Sequence, residues 1–485
     1  MKMKCLNVLS FLTILGSSTV LYVPFLNALP LSCSPNGEAQ ESVSLQETLE
    51  KAYMQNADLD ATRAELRSTD EEVSQANAAW RPSLSVQGVQ SQSQTYPIDR
   101  LPNQTRTHGS STGYTATLNQ NIYQGGLTDA TIGRAESNVL AGKAGLFNTE
   151  QKTLLTALQA HTGILTTQAI AEYQKQAVEF YKKIWEHAQA RFEVGEGDRV
   201  DVEAAKGNYE GAVGKLSEAV RDFENTKAVY LNQVGSPPGK LAPANILLAL
   251  PPVYEEALKV AKEHNPVVLQ ARYAVEAAEY FVRMQIAELL PTVGINGSVG
   301  NDRRGGTGNN GHLKKTTLGF EANVTIPLYA QGIPSSRIRQ AYQRLAQQKI
   351  QLVGAQRNVV QDVRTAWDNL VAAREGVKGY LAQVKAQEIA VEGAQEAVNV
   401  GIKTIIDVLF LEQDLINAQI NLATAQQTLV VASYQLLQAM GRLTARDLRL
   451  RVKYYDPDAY YNEYKDAWIQ FWQGKDLRYV KEDLQ

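Results

Sequence analysis

Cysteine is nearly absent from this chain of 485 residues, since Cys5 and Cys33 are the only two and both lie near the N-terminus. The rest of the chain therefore cannot form a disulfide or a cysteine-based zinc or redox site. The five histidines are scattered without the spacing of metal ligands. No nucleophile is placed beside a base, so we predict no enzyme activity, no cofactor and no metal site.

A strong charge of either sign is also missing. The formal net charge is −3, from 48 basic and 51 acidic residues, so no nucleic-acid partner is indicated. Beyond the N-terminus, no run approaches the ~18 continuous apolar residues of a membrane helix. Lys2 and Lys4 precede an apolar run from Leu6 to about Leu31, which is typical of a secretory signal. An uncleaved anchor helix and a lipoprotein signal with lipidated Cys33 remain as alternatives.

The sequence contains an internal duplication. When the sequence is aligned with itself, one offset matches the first part of the two copies, and a slightly shorter offset matches the remainder. The offset changes because the first copy has extra residues in one loop. Matches at long, constant spacing indicate two structurally equivalent halves. Aligned pairs include Asn56 with Asn265, Pro82 with Pro291, Tyr123 with Tyr329, Asp201-Val202 with Asp407-Val408, and Gly235 with Gly441.

Four segments alternate apolar and polar residues, which predicts strands with one face of each kind. In water this pattern fits a half-buried sheet, and in a membrane it fits a barrel with lipid outside and an aqueous lumen inside. Loops are expected at Ser91–Gly113 and Gly300–Gly311, which are rich in polar residues and glycine. The alternating apolar positions are Leu84 and Val86; Tyr114, Ala116, Leu118 and Ile122; Val293, Ile295 and Val299; Leu318, Phe320, Ala322 and Val324.

The remainder of the chain is predicted to be helical. A helix from Leu127 to about Val194 has no proline and would be roughly 100 Å long. A second copy runs from about Arg337 to Val400. Shorter helices are expected from about Val200 to Val234 and from Pro252 to Pro291. We expect these two to stack end to end and together match one long helix.

The predicted organisation has six parts. His161 lies on an apolar helix stripe and is expected to pack there, and the aromatic segment 454–472 is expected to wrap the helices. The parts are a signal peptide at 1–33, a linker at 34–43, a first repeat at 44–235, a linker at mid-height at 236–251, a second repeat at 252–441, and an equatorial tail at 442–485.

Several motifs resemble those of the TolC family of outer-membrane export channels. The resemblance covers roughly residues 44 to 445, and the order and duplication of the motifs make it specific. The motifs are Asn399–Leu409, Phe192–Gly195 with Asp201-Val202, Ala439–Gly441 and Pro327–Gly332.

The resemblance implies a mostly helical protomer with four strands. Three protomers would form a homotrimer with one twelve-stranded membrane β-barrel in outer-membrane lipid and a coiled-coil-like helical α-barrel in the periplasm. It further implies docking on a periplasmic adaptor and an inner-membrane RND or ABC transporter. The chain would then be the exit duct of a tripartite efflux pump or type I secretion system. A periplasmic adaptor is the alternative, although an adaptor would lack the duplication and the membrane-type strands.

The family also implies roles at the helical tip. Val194, Gly195, Val400 and Gly401 would form the tip that docks on the adaptor. Lys403 would pair with Asp201 to lock the closed gate, and Asp407 would contribute to an acidic ring facing the pore. Alternatively, Asp201 and Asp407 could act only by stabilising the N-termini of their own helices through their negative charge. Two positions depart from the family pattern, Val398 in place of a tyrosine and Phe410 in place of a second pore-facing aspartate.

Overall fold

The computed structural model describes residues 42–96, 107–244, 250–306, 313–400 and 402–468. The predicted signal segment, Cys5, Cys33 and the end of the tail lie outside these residues. The helices and strands are α1 Leu45–Gln55, α2 Ala57–Asn77, β1 Ser83–Thr95, β2 Thr107–Gln124, α3 Leu127–Glu193, α4 Arg199–Val234, α5 Tyr254–His264, α6 Pro266–Ala287, β3 Thr292–Gly306, β4 Leu313–Thr325, α7 Ile333–Asn399, α8 Ile405–Ala439 and α9 Ala459–Tyr464.

The order of elements occurs twice, as two helices, two strands, a long helix and a shorter helix. The prediction of a mostly helical protomer with four strands is confirmed. Helices α3 and α7 each contain 67 residues, which makes each about 100 Å long. Within the described part of the chain, no helix is apolar enough over a sufficient length to cross a membrane.

The helix predicted to run unbroken from Pro252 to Pro291 is in fact two helices, which corrects the prediction. Asn265 ends α5 and begins α6, and its side chain accepts a hydrogen bond from the Val267 amide at 2.9 Å. Asn56 does the same between α1 and α2, where it accepts from the amides of Asp58 and Leu59 at 3.1 Å. An asparagine side chain that caps the following helix competes with continued helix at that position.

The end-to-end partners of the shorter helices also differ from the prediction. The Nδ2 of Asn56 donates to the carbonyl of Gln233 at 3.0 Å, so the end of α4 meets the α1–α2 junction of its own copy. In the second copy, the Nδ2 of Asn265 donates to Ala439 at 2.9 Å. The prediction had stacked α4 on the helix from Pro252 of the second copy, whereas each shorter helix is joined within its own copy.

Glycine is required where these helices meet. Gly235 follows α4 with φ of 80°, and Gly441 follows α8 with φ of 75°, both in the left-handed region that glycine adopts freely. A Cβ on Gly441 would lie 2.6 Å from the His264 carbonyl oxygen, and one on Gly235 would lie 3.0 Å from the Cβ of Gln55. Each joint therefore needs both an asparagine on one side and a glycine on the other.

The four strands form one antiparallel sheet in the order β1-β2-β3-β4. Residues directly opposite in neighbouring strands share a face of the sheet. One such row contains Leu84, Leu118, Gly297 and Phe320, and the adjacent row contains Ser83, Asn119, Asn296 and Glu321. The sheet thus has an apolar face and a polar face.

The strands are longer than predicted, and the loops are correspondingly shorter. Pairing continues to Thr95 opposite Thr107 and to Arg304 opposite Leu313, although these segments are polar. Backbone hydrogen bonds between strands do not require apolar side chains, so composition alone placed the loops too early. A bulge at Ile122 is a second correction, because Tyr123 rather than Ile122 pairs with Val293.

His161 lies in a fully buried polar cluster among α1, α3 and α4. Its Nδ1 is 2.9 Å from the Thr48 hydroxyl and its Nε2 is 2.9 Å from the Ala242 carbonyl oxygen. Tyr230 completes the cluster at 3.2 Å from Thr48. Burial lowers the pKa of His161, so the ring stays neutral and serves packing.

The C-terminal segment packs against α1 and α2. The Tyr455 amide donates to the hydroxyl of Tyr53 at 3.0 Å, and the hydroxyl of Tyr460 donates to Glu71 at 2.8 Å. The guanidinium of Arg63 lies over the rings of both Tyr53 and Tyr455. The described aromatic residues of this segment thus attach it to the helices, whereas Phe471 and Trp472 lie outside the described residues.

A buried carboxyl group lies under this segment. Asp70 on α2 is 3 % exposed, and neither of its carboxylate oxygens has a hydrogen-bond partner. Burial raises its pKa from 3.8 to about 6; Lys143 partly opposes the shift, and Asp458 and Glu71 add to it. Lys143 itself pairs with Asp458. An ionised group in such a site destabilises the fold at neutral pH.

We therefore predict that Asp70→Asn stabilises the protein by about 1–3 kcal/mol at neutral pH. Because the pKa of Asp70 is raised on folding, its contribution is fully present below 3.8 and is lost as pH rises through about 6. Thermal unfolding followed across this pH range should show the wild type losing stability with rising pH and the variant losing less. Asp362→Asn, at an exposed position on α7, is the control. An equal response of the two variants would contradict the prediction.

Candidate functional site at the helical tip

The long helices end in tight turns. At the end of α3, Gly195 adopts φ of 80°, and the Glu196 amide donates to the Arg191 carbonyl at 2.9 Å. This pattern of a left-handed glycine with a hydrogen bond spanning five residues is a Schellman turn. It satisfies the carbonyls at the helix end and directs the chain towards α4. Val194, beside the turn, is 72 % exposed.

The second tip repeats this geometry at the end of α7. The Ile402 amide donates to the Ala397 carbonyl at 2.8 Å, which is the same spacing of five residues. Val400 and Ile402 are 69 % and 79 % exposed. Gly401 lies outside the described residues. Two turns with exposed aliphatic side chains are thus present in each protomer.

The two helices that follow these turns begin with different caps. Asp198 is the N-cap of α4 and accepts a hydrogen bond from the Val200 amide at 3.3 Å. Asp201 lies in the first turn of α4, and none of the described residues forms a hydrogen bond or ion pair with its carboxylate. Its negative charge stabilises the N-terminus of α4. The carboxylate is exposed and accessible to a partner outside the protomer.

The equivalent aspartate of the second copy is held by its own helix. Thr404 and Asp407 form a capping box at the start of α8. The Asp407 Oδ2 accepts from the Thr404 amide at 2.9 Å and from its hydroxyl at 2.7 Å, and the Asp407 amide donates to Thr404 Oγ1 at 3.3 Å. These hydrogen bonds, with Lys403 nearby, lower the pKa of Asp407. Asp407 therefore carries its charge even in mildly acidic solution.

Lys403 lies on the turn between α7 and α8 and is exposed. Within the described part of one protomer, no ion pair connects Lys403 to Asp201. Its charge acts instead on Asp407 of its own turn. The hypothesis that Lys403 reaches Asp201 across neighbouring hairpins therefore concerns contacts that a single protomer does not contain, and it stays a prediction.

An apolar cluster above the tips connects the two hairpins. Tyr181 of α3 and Ala212 of α4 pack against Leu409 and Ile416 of α8. The hydroxyl of Tyr181 is 3.3 Å from Gln413 Oε1 of α8, and burial raises the pKa of Tyr181 to about 12. The first hairpin thus packs directly on the ascending helix of the second.

Sequence reasoning missed the capping box and this cluster. The signal for the box was present, because Thr404 stands three residues before Asp407 at the start of a helix. The cluster could not be found from one sequence, because contacts between α3 and α8 join residues more than 200 positions apart. Phe410, which replaces an expected acidic residue, is 68 % exposed at the tip.

A protomer with two hairpins of very long helices and a four-stranded antiparallel sheet has the architecture of an outer-membrane channel subunit. A family model described as outer membrane efflux protein matches residues 48–228 and 257–442. The outer membrane efflux protein BepC of Brucella suis is 35 % identical over 434 residues, covering 89 % of this chain and 93 % of that protein. The outer membrane protein TolC of Escherichia coli is 24 % identical and covers 86 % of each chain.

The solved structures agree on the fold. The CmeC outer membrane channel of Campylobacter jejuni superposes with a TM-score of 0.75 at 15 % identity, over 92 % of this chain and 98 % of that one. The chain belongs to the outer membrane efflux protein family. Members of this family are channels in the outer membrane, and the long helices of this chain form a tunnel in the periplasm.

The capping box gives a prediction for the second tip. Thr404→Ala removes both the N-cap oxygen and the hydroxyl that donates to the Asp407 carboxylate, which should cost about 0.5–2 kcal/mol in local stability. Amide hydrogen exchange in the first turn of α8 should therefore become several times faster. Asp201→Ala is the matched control, since α4 is capped by Asp198 and should keep its protection. Unchanged exchange in Thr404→Ala would contradict a stabilising role for the box.

Proposed function

We propose that this protein is the outer-membrane exit duct of a tripartite efflux pump or type I secretion system, and that three copies form one duct. The observation that carries the proposal is the sheet with its two long hairpins on one side. The sheet would be the membrane segment and the hairpins the periplasmic segment of the same chain. The strands also have one polar face. Substrate would move through the duct passively, because the inner-membrane transporter would supply the energy for transport.

The assembly of three chains is supported by the strand edges. Within the described residues, β1 and β4 each pair with a strand on one side only. In lipid, an unpaired edge leaves amide and carbonyl groups without hydrogen bonds. A barrel needs about eight strands or more, so four strands must be completed by other protomers. A homotrimer would close twelve strands in outer-membrane lipid.

The tips support an adaptor as the periplasmic partner. Val194 exposes a large apolar fraction beside the Gly195 turn, and Val400 and Ile402 do so at the turn between α7 and α8. Exposed aliphatic groups at a small set of turns are typical of a protein-binding surface. We propose that these turns, with Gly401, dock on a periplasmic adaptor that connects the duct to an inner-membrane RND or ABC transporter. The alternative that the chain is itself such an adaptor does not fit its four membrane-type strands.

We also propose that the tip contains a gate. Asp201 and Lys403 are both exposed and unpaired within the described protomer, so each can reach a neighbouring hairpin. One surface ion pair contributes only about 0–1 kcal/mol, but three symmetric copies can bias a two-state gate. Asp407 would add an acidic ring at the pore, because its cap keeps the carboxylate ionised.

The two faces of the sheet give a test of the barrel. We predict that Phe320→Arg, on the apolar face, impairs assembly by about 2–4 kcal/mol because it places a charge in lipid. Asn323→Arg, on the polar face of the same strand, should assemble normally. The measurement is the yield of assembled protein in the outer membrane at equal expression. Normal assembly of Phe320→Arg together with failure of Asn323→Arg would show that the faces are reversed.

The gate gives a second test. Lys403→Ala and Asp201→Ala should each raise single-channel conductance in planar bilayers, because either removes the same ion pair, and the double variant should add little. Lys385→Ala, an exposed lysine on α7 above the tip, is the control for loss of a positive charge. Unchanged conductance in both single variants would remove the lock and leave these residues as parts of the turns.

Asp407 should act separately from the lock. Asp407→Asn keeps an oxygen that can accept from the Thr404 amide but removes the charge, so block of the pore by divalent cations should weaken. Thr404→Ala disturbs the cap and keeps the charge, so it should retain most of the block. Because the pKa of Asp407 is lowered, block should persist into more acidic solution than an ordinary aspartate allows. Equal block in wild type and Asp407→Asn would exclude the acidic ring.

A further inference from the structure

The loop end of the sheet carries an uneven distribution of charge. Arg303, Arg304, Lys314 and Lys315 lie on the last paired rows of β3 and β4, with Asp302 as their one acidic neighbour on these rows. Because alternate residues of a strand point to opposite faces, these cations divide into two pairs. Arg304 and Lys315 share the polar face with Asp302, whereas Arg303 and Lys314 share the apolar face.

The cations on the polar face are compensated. The Asp302 Oδ2 accepts from Arg304 Nε at 2.7 Å, and its Oδ1 accepts from the Ser111 hydroxyl at 2.7 Å. Lys315 is directly opposite Asp302 in the register of the two strands. This face therefore contains its own counter-ion, and it needs no external anion.

Among the residues that the structure describes, the cations on the apolar face have no such compensation. Arg303 is directly opposite Lys314, and their row continues through Thr112 to Gln90. The adjacent row contains Gly88, Tyr114, Asn301 and Thr316, again without an acidic residue. Among the described residues, neither Arg303 nor Lys314 forms an ion pair, and both are exposed. Two like charges directly opposite each other in a sheet are destabilising unless something neutralises them.

The position of this pair identifies what can neutralise it. The apolar rows of the same face end at Val299 and Leu318, and the exposed ring of Tyr114 follows one row later. Aromatic rings of membrane barrels lie at the boundary between hydrocarbon and headgroups. Arg303 and Lys314 come one row beyond Tyr114, roughly 7 Å further along the strand. They are therefore at headgroup depth, at the end of the sheet away from the helices.

We propose that Arg303 and Lys314 bind the phosphate groups of the phosphorylated glycolipid that forms the outer leaflet of the outer membrane. Arginine forms paired hydrogen bonds with phosphate, and lysine adds a point charge beside it. Basic residues at headgroup depth recognise anionic lipid in the same way in other membrane proteins. In a trimer the site occurs three times, and the bound lipid would neutralise a repulsion that the protein leaves open. The inference rests on the proposed lipid exposure of the apolar face.

Native mass spectrometry of the detergent-extracted full-length protein tests the proposal. The protein is titrated with diphosphoryl lipid A, with the same lipid after removal of its phosphates, and with phosphatidylglycerol. The wild type should retain the diphosphoryl form at least about tenfold more tightly than the dephosphorylated form, which corresponds to 1.4 kcal/mol. Arg303→Gln/Lys314→Gln should lose this preference.

The matched control is Arg304→Gln/Lys315→Gln, which removes the same charge from adjacent positions of the same strands on the opposite face. It should keep the preference. Equal loss in both double variants, no preference in the wild type, or equally tight binding of phosphatidylglycerol would each overturn the proposal. The same spectra report the number of chains, so a failure of assembly, which counts against the proposed barrel, is distinguished from an assembled protein that does not retain the lipid.

Discussion

Two unpaired strand edges determine how this protein must be built. The order β1-β2-β3-β4 leaves one side of β1 and one side of β4 without a partner in the described chain. In a membrane, water is not available to satisfy those backbone groups. A four-stranded sheet cannot close on itself, and we therefore propose that the protomer is complete only in an assembly.

Two equivalent joints connect the shorter helices. At each joint an asparagine caps one helix and donates to the last carbonyls of another, while a glycine allows the close approach. Stacked short helices can in this way run beside α3 and α7 over their whole length. The buried cluster of Thr48, His161 and Tyr230 lies in the first copy only, since residue 367, a tryptophan, takes the place of His161. The duplication thus repeats the order of the helices and strands but not every buried residue.

Much of the fold could be predicted from the sequence because its signals are local and periodic. Alternation at Phe320 and Val324 identified the apolar face, and the proline-free segment from Leu127 gave the length of α3. The breaks at Asn56 and Asn265 were missed, because a capping asparagine within a good helical pattern resembles an ordinary helical residue. The polar ends of the strands were also missed, since only pairing with a partner extends them.

The candidate site, like the fold, could be predicted from the sequence only in part. The positions of Val194, Asp201 and Asp407 followed from the aligned copies and that of Lys403 from the resemblance to the family, but their different states did not. Asp407 is held by Thr404, whereas the first copy has Asp198 at the capping position, which leaves Asp201 exposed. The environment of Asp70 was also beyond prediction, because the C-terminal segment that contacts the neighbouring Glu71 lies nearly 390 residues away in the chain. Such effects arise from contacts that no periodicity encodes.

The central claim is that the protomer is incomplete and that three protomers share one barrel. The number of chains in the detergent-extracted protein tests this claim most directly, and it can be read from the mass of the intact complex. The account predicts a single stable species of three chains that dissociates only on unfolding. A stable, folded species of one chain that remains embedded in detergent would contradict it, because its strand edges would then have to be satisfied without a neighbour.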